Sequence, residues 1–401
     1  MKITILLIVV VLSAYGCSNP KSGYSVSKNE VYSVSLDELK PIRKIIPLSR
    51  MVEYCNLVYL EPKENAYVVP MSTTITEKYI GVIPAKMYVG QGYETYKLFD
   101  RSGKFLCDVG STGSGYGEYL ALTDDIIDDQ NELIYLSSFS GSNKILVYNT
   151  SGQFVKEIIA PQLLCNPQMF LTGNILTVVH IPMDSPDPSY VFAYKAADAM
   201  VFQFDVNTAE LLKKIAPPAH LIIENFNYGS IHTPRNTPGN FDFFLHYYFT
   251  ISDYRDTLYR VDMKSDKILP VFTMTYSSSK FPHKPTFYQL NKDLIMSFFY
   301  NNNALVATDL KSKTSTWVRI ANDYYGNIPV PGSTWLGHFR NGYFAHNMKP
   351  EDLIKEIKKR LAEKDCTEDD RLILNKTLST LKKEDNNVVF IGKLKSETNL
   401  W

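Results

Sequence analysis

The chain has 401 residues, 45% of them hydrophobic and 13% aromatic, so it can bury a large core. Lysine plus arginine and aspartate plus glutamate are equal at 42 each. A protein without net charge has no overall field that attracts nucleic acid, and we expect no nucleic-acid partner.

The first residues have the features of an export signal. Lys2 precedes an apolar run, residues 3–12, that is too short to span a bilayer. The run ends in Ser13-Ala14-Tyr15-Gly16-Cys17, which resembles a bacterial lipobox. We therefore predict a lipoprotein signal peptide over residues 1–17, with Cys17 as the lipidated residue. An ordinary secretory signal with a chance cysteine is the alternative. Residues 18–41 are expected to form a polar tether between membrane and domain.

One phrase of eight residues occurs twice, at residues 99–106 and again at residues 148–155. Each copy reads as a strand, a tight turn and a returning strand, because Asp or Asn can bond its own backbone and Gly supplies positive φ. Weaker copies follow, and their turn residues are separated by 49, 56, 57 and 47 positions: Asp100, Asn149, Asp205, Asp262 and Asp309. A period near 50 made only of strands is typical of a β-propeller with four strands, A to D, in each blade.

The predicted fold is therefore an all-β, six-bladed β-propeller over residues 42–396. The last blade has sequence for strands A, B and C but none for D. We expect residues 56–60 to close the ring as the outermost strand of that blade, which removes a free edge. A helical insertion, residues 350–383, interrupts the last blade, with Pro350 at a helix start and acidic residues in the first turn. Packing against the propeller and binding a partner are both open for these helices.

Three short stretches carry a resemblance to a known family. They are residues 110–119, a Gly-rich link ending in Gly117-Glu118-Tyr119; Asp256-Thr257-Leu258-Tyr259; and residues 384–395. With the inner strands of the second blade, they resemble NHL-type repeats and, more closely, the six-bladed β-propeller lipoproteins of Bacteroidetes. The resemblance implies this fold and an envelope location, and adds almost nothing about chemistry.

The motifs of common enzymes and metal proteins are missing from the sequence. The Gly-rich link lacks the Gly-Lys-Ser/Thr ending of a phosphate-binding loop, and no Gly-x-Ser-x-Gly elbow occurs. Asp124, Asp125, Asp128 and Asp129 lack the spacing of a calcium loop, and the histidines lack a zinc motif. We predict no catalytic residue, no metal and no cofactor. A zinc site assembled across blades stays open.

Topology indicates where a binding site would lie. Long or aromatic loops fall on the face that carries the D-to-A and B-to-C connections, whereas the tight C-to-D hairpins mark the opposite face as plain. Candidate ligand-binding residues on this loop-rich face are Tyr116, Glu118, His180, Tyr190, Arg255, Tyr300, Asn301 and Tyr325.

The sequence thus predicts a propeller anchored to a bacterial membrane, most simply the outer membrane, that binds an envelope protein, peptide or glycan. The alternative is a lyase or hydrolase acting on glycan or peptide from the central funnel. A third role is assembly through the helices. Ionisable residues converging on the axis would favour the enzyme, and a plugged funnel would favour binding.

Overall fold

The repeated turns are built as the sequence predicts, around a side chain that accepts backbone N–H groups. Asp100 Oδ1 accepts from Ser102 N at 2.8 Å, and Asn149 Oδ1 accepts from Ser151 N at 3.1 Å. The first two copies place Gly103 and Gly152 in the left-handed region, at φ of 91° and 82°. In the later copies the positive φ falls one residue further along the turn, on Ala209, Asp266 and Lys313, at φ of 61°, 55° and 56°. The hairpin and its aspartate are therefore kept while the turn changes its form, which is why the later copies are weak in sequence.

A computed structural model describes residues 31–40, 43–85, 94–138, 142–184, 198–224, 229–247, 255–277, 285–299, 304–331 and 338–397. Its strands form six blades, and each blade is built from four neighbouring antiparallel strands. The first three blades are, in order A to D: Pro70–Ile75, Tyr79–Pro84, Tyr96–Asp100 and Phe105–Val109; Leu122–Asp128, Leu133–Ser138, Ser142–Asn149 and Phe154–Leu164; Gln168–Thr172, Ile175–Val179, Val201–Asp205 and Leu211–Ile215.

The fourth and fifth blades each have an extra outer strand from the N-terminal region. Their A to D strands are Gly229–His232, Asp242–Tyr247, Arg255–Asp262 and Lys267–Thr275; then Pro285–Gln289, Leu294–Phe299, Ala304–Asp309 and Thr314–Asn322. Tyr32–Ser35 adds parallel to the fourth blade and Arg43–Pro47 adds parallel to the fifth. Ile328–Val330 extends the fifth blade at one end.

The predicted tether is therefore too long at its C-terminal end. We expected residues 18–41 to be a polar linker, but Tyr32–Ser35 is a strand, and Val34 and Leu36 are buried between the fourth and fifth blades. This stretch is polar, and two buried side chains are too few to give a hydrophobic periodicity from which a strand could be predicted. The rest of the tether, through residue 30, and the signal peptide with Cys17 lie outside the described residues.

The sixth blade confirms the predicted ring closure. Its A, B and C strands are Phe339–Arg340, Tyr343–Met348 and Val388–Lys393, and its outer strand is Asn56–Tyr59. Val58 pairs with Val389 in an antiparallel register. The ring is therefore closed by pairing between a strand near the N-terminus and a strand near the C-terminus, so the last blade has no free edge there.

The core consists of six hydrophobic clusters in the described part of the chain, one between each pair of neighbouring blades. Phe99 and Ile391 belong to the cluster that joins the first and last blades, and Tyr148 belongs to the next. This arrangement follows from strands buried on both faces, whose successive side chains point to opposite neighbours.

The insertion in the last blade is the predicted helical pair. Helix α1 spans Pro350–Ala362 and helix α2 spans Glu368–Thr380, with a capping box between Thr367 and Asp370. Leu353, Ile357 and Leu374 are buried in the cluster between the fifth and sixth blades. Arg360 Nε donates to Gly326 O at 3.0 Å, so the pair is fixed to the turn after the fifth blade.

Candidate functional site

A buried ion-pair network occupies the axis of the propeller. Asp124, on the A strand of the second blade, accepts two hydrogen bonds from Arg235, from Nη1 at 2.9 Å and from Nη2 at 3.0 Å. Arg340, on the A strand of the sixth blade, donates to the same carboxylate. Met169 N from the third blade donates to it at 2.7 Å. Three blades and the link after the A strand of the fourth therefore meet at one carboxylate, whose side chain is 0% exposed.

The neighbouring carboxylate points the other way. Asp125 accepts from Thr74 Oγ1 and from the Tyr96 hydroxyl, each at 2.8 Å, and both partners belong to the first blade. Successive side chains of a strand face opposite sides, so Asp125 reaches the first blade, and among the described residues only Arg340 is ion-paired with both carboxylates, with its Nη1 3.4 Å from Asp125 Oδ1. Burial is the main cause that raises the pKa of Asp125, opposed by the charge of Arg340.

The network behaves as a plug rather than as an exposed acid and base. Each axial carboxylate is saturated by donors, and Arg235 and Arg340 are only 7% and 10% exposed at the side chain. Burial and the nearby Arg340 lower the pKa of Arg235 to about 10, which leaves it charged at neutral pH. Convergence of ionisable residues on the axis would favour an enzyme. Charged groups do converge there, but they are paired with one another and buried from solvent.

A cavity of about 760 Å³ lies against this plug. It is lined by Arg235, Lys393 and the A-to-B turns of five blades, at residues 74–77, 126–131, 170–174, 237–241 and 341–343. In the antiparallel blades these turns share a face with the C-to-D hairpins. The described cavity thus opens on the face that we expected to be plain.

The fourth blade's A-to-B link explains why the axis is closed on this side. Asn236 Nδ2 donates to Gln289 O at 3.1 Å and to Phe339 O at 3.0 Å, in the fifth and sixth blades. Its Oδ1 accepts from Gly342 N at 3.1 Å. The link therefore crosses from its own blade to two others and carries Arg235 onto the axis.

The charged groups of the lining are already engaged. Lys393 Nζ pairs with Glu77 at 2.8 Å, and Asp129 accepts from Thr76 Oγ1 at 2.7 Å. Asp128 accepts from Asn131 Nδ2 at 2.7 Å. By contrast, Arg235 Nε and Thr237 Oγ1 are buried atoms that find no hydrogen-bond partner among the described residues. Leaving such groups unsatisfied costs on the order of 1–3 kcal/mol each.

Two of the predicted ligand-binding residues belong to the Gly-rich link. Glu118 Oε2 accepts from Gly115 N at 2.8 Å, so it holds the link together and is not free for a ligand. Tyr116 is 75% exposed, with its ring against Phe154 at 4.9 Å. Of this pair, only Tyr116 offers a surface.

Two further candidates are packing residues. His180 is 1% exposed, stacks on Phe202 at 5.8 Å and contacts Ala199 O at 2.9 Å through Nε2. Burial lowers its pKa to about 4. The Tyr325 hydroxyl accepts from Leu57 N at 2.9 Å, and its ring lies 4.9 Å from Phe390. His180 is thus buried and Tyr325 is half-buried, with each side chain engaged by the protein itself.

The remaining candidates cannot be placed. Tyr190, Tyr300 and Asn301 lie outside the described residues. Arg255 is described only as the first residue of its strand, paired with Thr275. The structure therefore does not bring the eight candidates together, and the loop-rich site stays a prediction.

The aspartate cluster is divided among separate tasks: Asp124 and Asp125 serve the plug, and Asp128 and Asp129 hold turns. Within the described ranges no group of three histidine, cysteine, aspartate or glutamate side chains could hold a metal ion. No disulfide joins the cysteines in those ranges, Cys55, Cys107, Cys165 and Cys366. No helix in the described segments is both long and apolar enough to cross a membrane.

Sequence reasoning missed Arg235, Thr237 and Arg340. Arg235 lies in a stretch with two prolines, Thr233-Pro234-Arg235-Asn236-Thr237-Pro238-Gly239, which predicts only a loop. Its partner Asp124 is 111 positions away, so no local pattern links the two. The signal that was available is the paired Asp124-Asp125 on an inner strand, where a charge needs a partner.

The fold and site define a six-bladed β-propeller with a closed axis and a cavity on its turn face. The chain belongs to the family described as Domain of unknown function (DUF4934), whose model matches residues 31–393. No curated protein matches it. The resemblance stated from sequence is confirmed for the fold, while the NHL-type repeat and the lipid anchor remain predictions.

Two solved structures from Bacteroides are similar to this chain to different extents. A protein of Bacteroides fragilis NCTC 9343, named as exported, is similar with a TM-score of 0.56 and 14% identity, over 91% of this chain and 100% of that one. At this identity the likeness concerns the fold alone. The extracellular domain of a one-component system from B. thetaiotaomicron has a TM-score of 0.35 and 15% identity, over 66% of this chain and 29% of that one, and supports no inference.

Proposed function

We propose that the protein is a membrane-anchored propeller of the cell envelope that binds a ligand or a protein partner. The observation that carries the binding role is the cavity of about 760 Å³ over a closed axis. Its size is within the range of small-molecule sites, and a plugged axis gives such a site a fixed floor. The envelope location is supported by the lipobox-like segment ending at Cys17 and by the exported B. fragilis neighbour.

We place binding at the turn-face cavity first and at the loop-rich face second. The cavity is lined by described residues from five blades, whereas Tyr116 is the only predicted loop-face candidate with a described, exposed side chain. A site built from turns of several blades is held by the rigid ring.

The alternative of a glycan- or peptide-acting lyase or hydrolase has weaker support. It would need a carboxylate free to give or take a proton within reach of a substrate. Asp125 has a raised pKa, but it is 0% exposed and its oxygens accept from Thr74 and Tyr96.

Native mass spectrometry of the full chain, purified from membranes of a Bacteroides host, tests the proposal. We expect a lipidated N-terminus at Cys17 and a bound species of constant mass. Cys17→Ala should remove the lipid and release the protein from membranes. Asn240→Trp, which fills the cavity, should remove the bound species, while Asn207→Trp on an exposed hairpin should not. A soluble, unlipidated and ligand-free wild type would contradict the proposal.

A further inference from the structure

We propose that the turn-face cavity binds a neutral, hydroxyl-rich ligand, a segment of glycan chain. This inference rests on the proposed binding function and names the ligand class. It is argued from four features of the cavity lining: buried polar atoms without a described partner, amide side chains, aromatic rings and paired charges.

Two residues of the cavity lining, Arg235 and Thr237, carry buried hydrogen-bonding atoms that the described protein does not use. Arg235 Nε is a donor, and Thr237 Oγ1 can donate and accept; both are buried and have no partner among the described residues. Arg235 is held in place by Asp124 through its other two nitrogens, at 2.9 and 3.0 Å. Nε is thus a positioned donor whose charge is already neutralised, which suits a hydroxyl oxygen.

The turns around the floor add amide side chains. Gln130, Asn174, Asn240 and Asn341 line the cavity, and their amides make no hydrogen bond to another group in the described ranges. An amide offers two donors and one acceptor in one plane, which matches vicinal hydroxyls. The four amides come from four different blades, so they surround the ligand.

One wall of the cavity is apolar. Phe170 and Phe241, between the third and fourth blades, line it with ring centroids 5.2 Å apart, and Tyr343 lines the cavity separately from the sixth blade. Sugars have apolar C–H faces beside polar edges, and aromatic side chains provide surface for those faces. Amides together with rings therefore favour a glycan over a purely polar ion.

The charges of the lining disfavour an anionic ligand. Lys393 is paired with Glu77, and Arg235 is paired with Asp124, so neither cation is left for a phosphate or an acidic sugar. The carboxylates of Asp128 and Asp129 add negative charge nearby. A peptide is disfavoured because turns line the site, without the free strand edge that extended peptides join.

Surface plasmon resonance of the purified chain against a panel of neutral oligosaccharides tests this inference. The panel contains glucose-, mannose-, xylose-, galactose- and N-acetylglucosamine-based chains, with a sulfated chain and unstructured peptides for comparison. We expect at least one neutral chain to bind. Thr237→Val should weaken it about tenfold without lowering the melting temperature, because the lost hydroxyl has no described protein partner.

Asn341→Gly tests the amides, since glycine keeps the positive φ of 55° at that turn. It should weaken binding by several-fold, and Asn207→Ala, on an exposed hairpin, should leave affinity unchanged.

Binding that survives Thr237→Val and Asn341→Gly but is lost in Tyr116→Ala would overturn the cavity assignment and leave the binding function standing. Binding of only the sulfated chain or the peptides would overturn the ligand class. No binding of any probe, with a bound species still seen by native mass spectrometry, would overturn the glycan inference alone. No binding and no bound species would overturn both proposals.

Discussion

At the axis, Asp124 is one carboxylate shared by two arginines from two other blades. Asp124→Asn should leave the buried Arg235 without the carboxylate that it pairs with, and Arg340 with only Asp125 at 3.4 Å, so we expect a loss of about 3–5 kcal/mol in the free energy of unfolding. Guanidinium chloride denaturation measures it. Asp266→Asn is the matched control, because its bridge to Lys213 is 35–51% exposed and should be worth less than about 1 kcal/mol. Equal losses in the two variants would contradict the plug.

His180 makes the fold sensitive to mild acid. Its folded pKa is lowered to about 4 by burial, below the ordinary value of 6.5, so the unfolded state binds a proton that the folded state does not. Stability from this residue is complete above about pH 6.5 and falls as the pH drops toward 4, by about 3 kcal/mol in all. Burial also lowers the pKa of His338 and His346, which act in the same direction.

Melting temperatures between pH 7 and 4 check this dependence. His180→Gln keeps a donor for Ala199 O and should reduce the fall over that window, although it lowers stability at pH 7. His220→Gln is the comparison: His220 is exposed, but partial burial also lowers its pKa, so this variant should reduce the fall by less than His180→Gln does. An identical pH slope for wild type and His180→Gln would refute the assignment.

Among the elements, the helical pair depends on close approach to one turn. Gly326 has a φ of 64°, and a Cβ there would lie 2.6 Å from Leu374 Cγ of helix α2. Gly326→Ala should push the helices off the fifth blade and cost about 2–4 kcal/mol. Gly342 also has a positive φ, 78°, but a Cβ there would meet nothing within 4 Å. Gly342→Ala should therefore cost only about 1–2 kcal/mol of backbone strain.

Hydrogen–deuterium exchange locates the effect of Gly326→Ala. We expect faster exchange over residues 350–380 in this variant and not in Gly342→Ala. Uniformly faster exchange through all blades would show instead that the helices are part of one cooperative unit with the ring.

The outer strand of the last blade closes the ring. Leu57 N donates to the Tyr325 hydroxyl, away from the sheet, so the alternation of an antiparallel pair directs Val58 N toward its partner strand. Val58→Pro should remove that hydrogen bond and lower the melting temperature by several degrees, about 2 kcal/mol or more. Val58→Thr keeps the N–H and should change little. A melting temperature unaffected by proline would mean that the ring does not depend on this closure.

For the whole molecule, the parts predicted from sequence are those fixed by local chemistry. The turn at Asp100 needs only a carboxylate and a glycine three residues later, so its repeats give the blade period and the fold. Closure by residues 56–60 followed from counting strands. Strand A of the fourth blade, Gly229–His232, has no such local signal, because its long link to strand B breaks the period.

The site could not be predicted in the same way. Arg340 and Asp124 are 216 positions apart, and their meeting depends on ring closure rather than on spacing. Ranking loops by length and tyrosine content pointed to the loop-rich face, whereas the described cavity is formed by short turns. His180 and Tyr325 show why this ranking fails: a polar aromatic residue beside a loop can still pack inward.

The most direct test of the account is photo-crosslinking in living cells from two positions of the full chain. One variant carries a photoreactive amino acid at Thr172, an exposed residue on the rim of the turn-face cavity, and the other carries it at Tyr116 on the loop-rich face. We predict an adduct from position 172 that native oligosaccharide competes away, with little from position 116. Adducts from position 116 alone would contradict the cavity as the binding site and return the search to the loop-rich face.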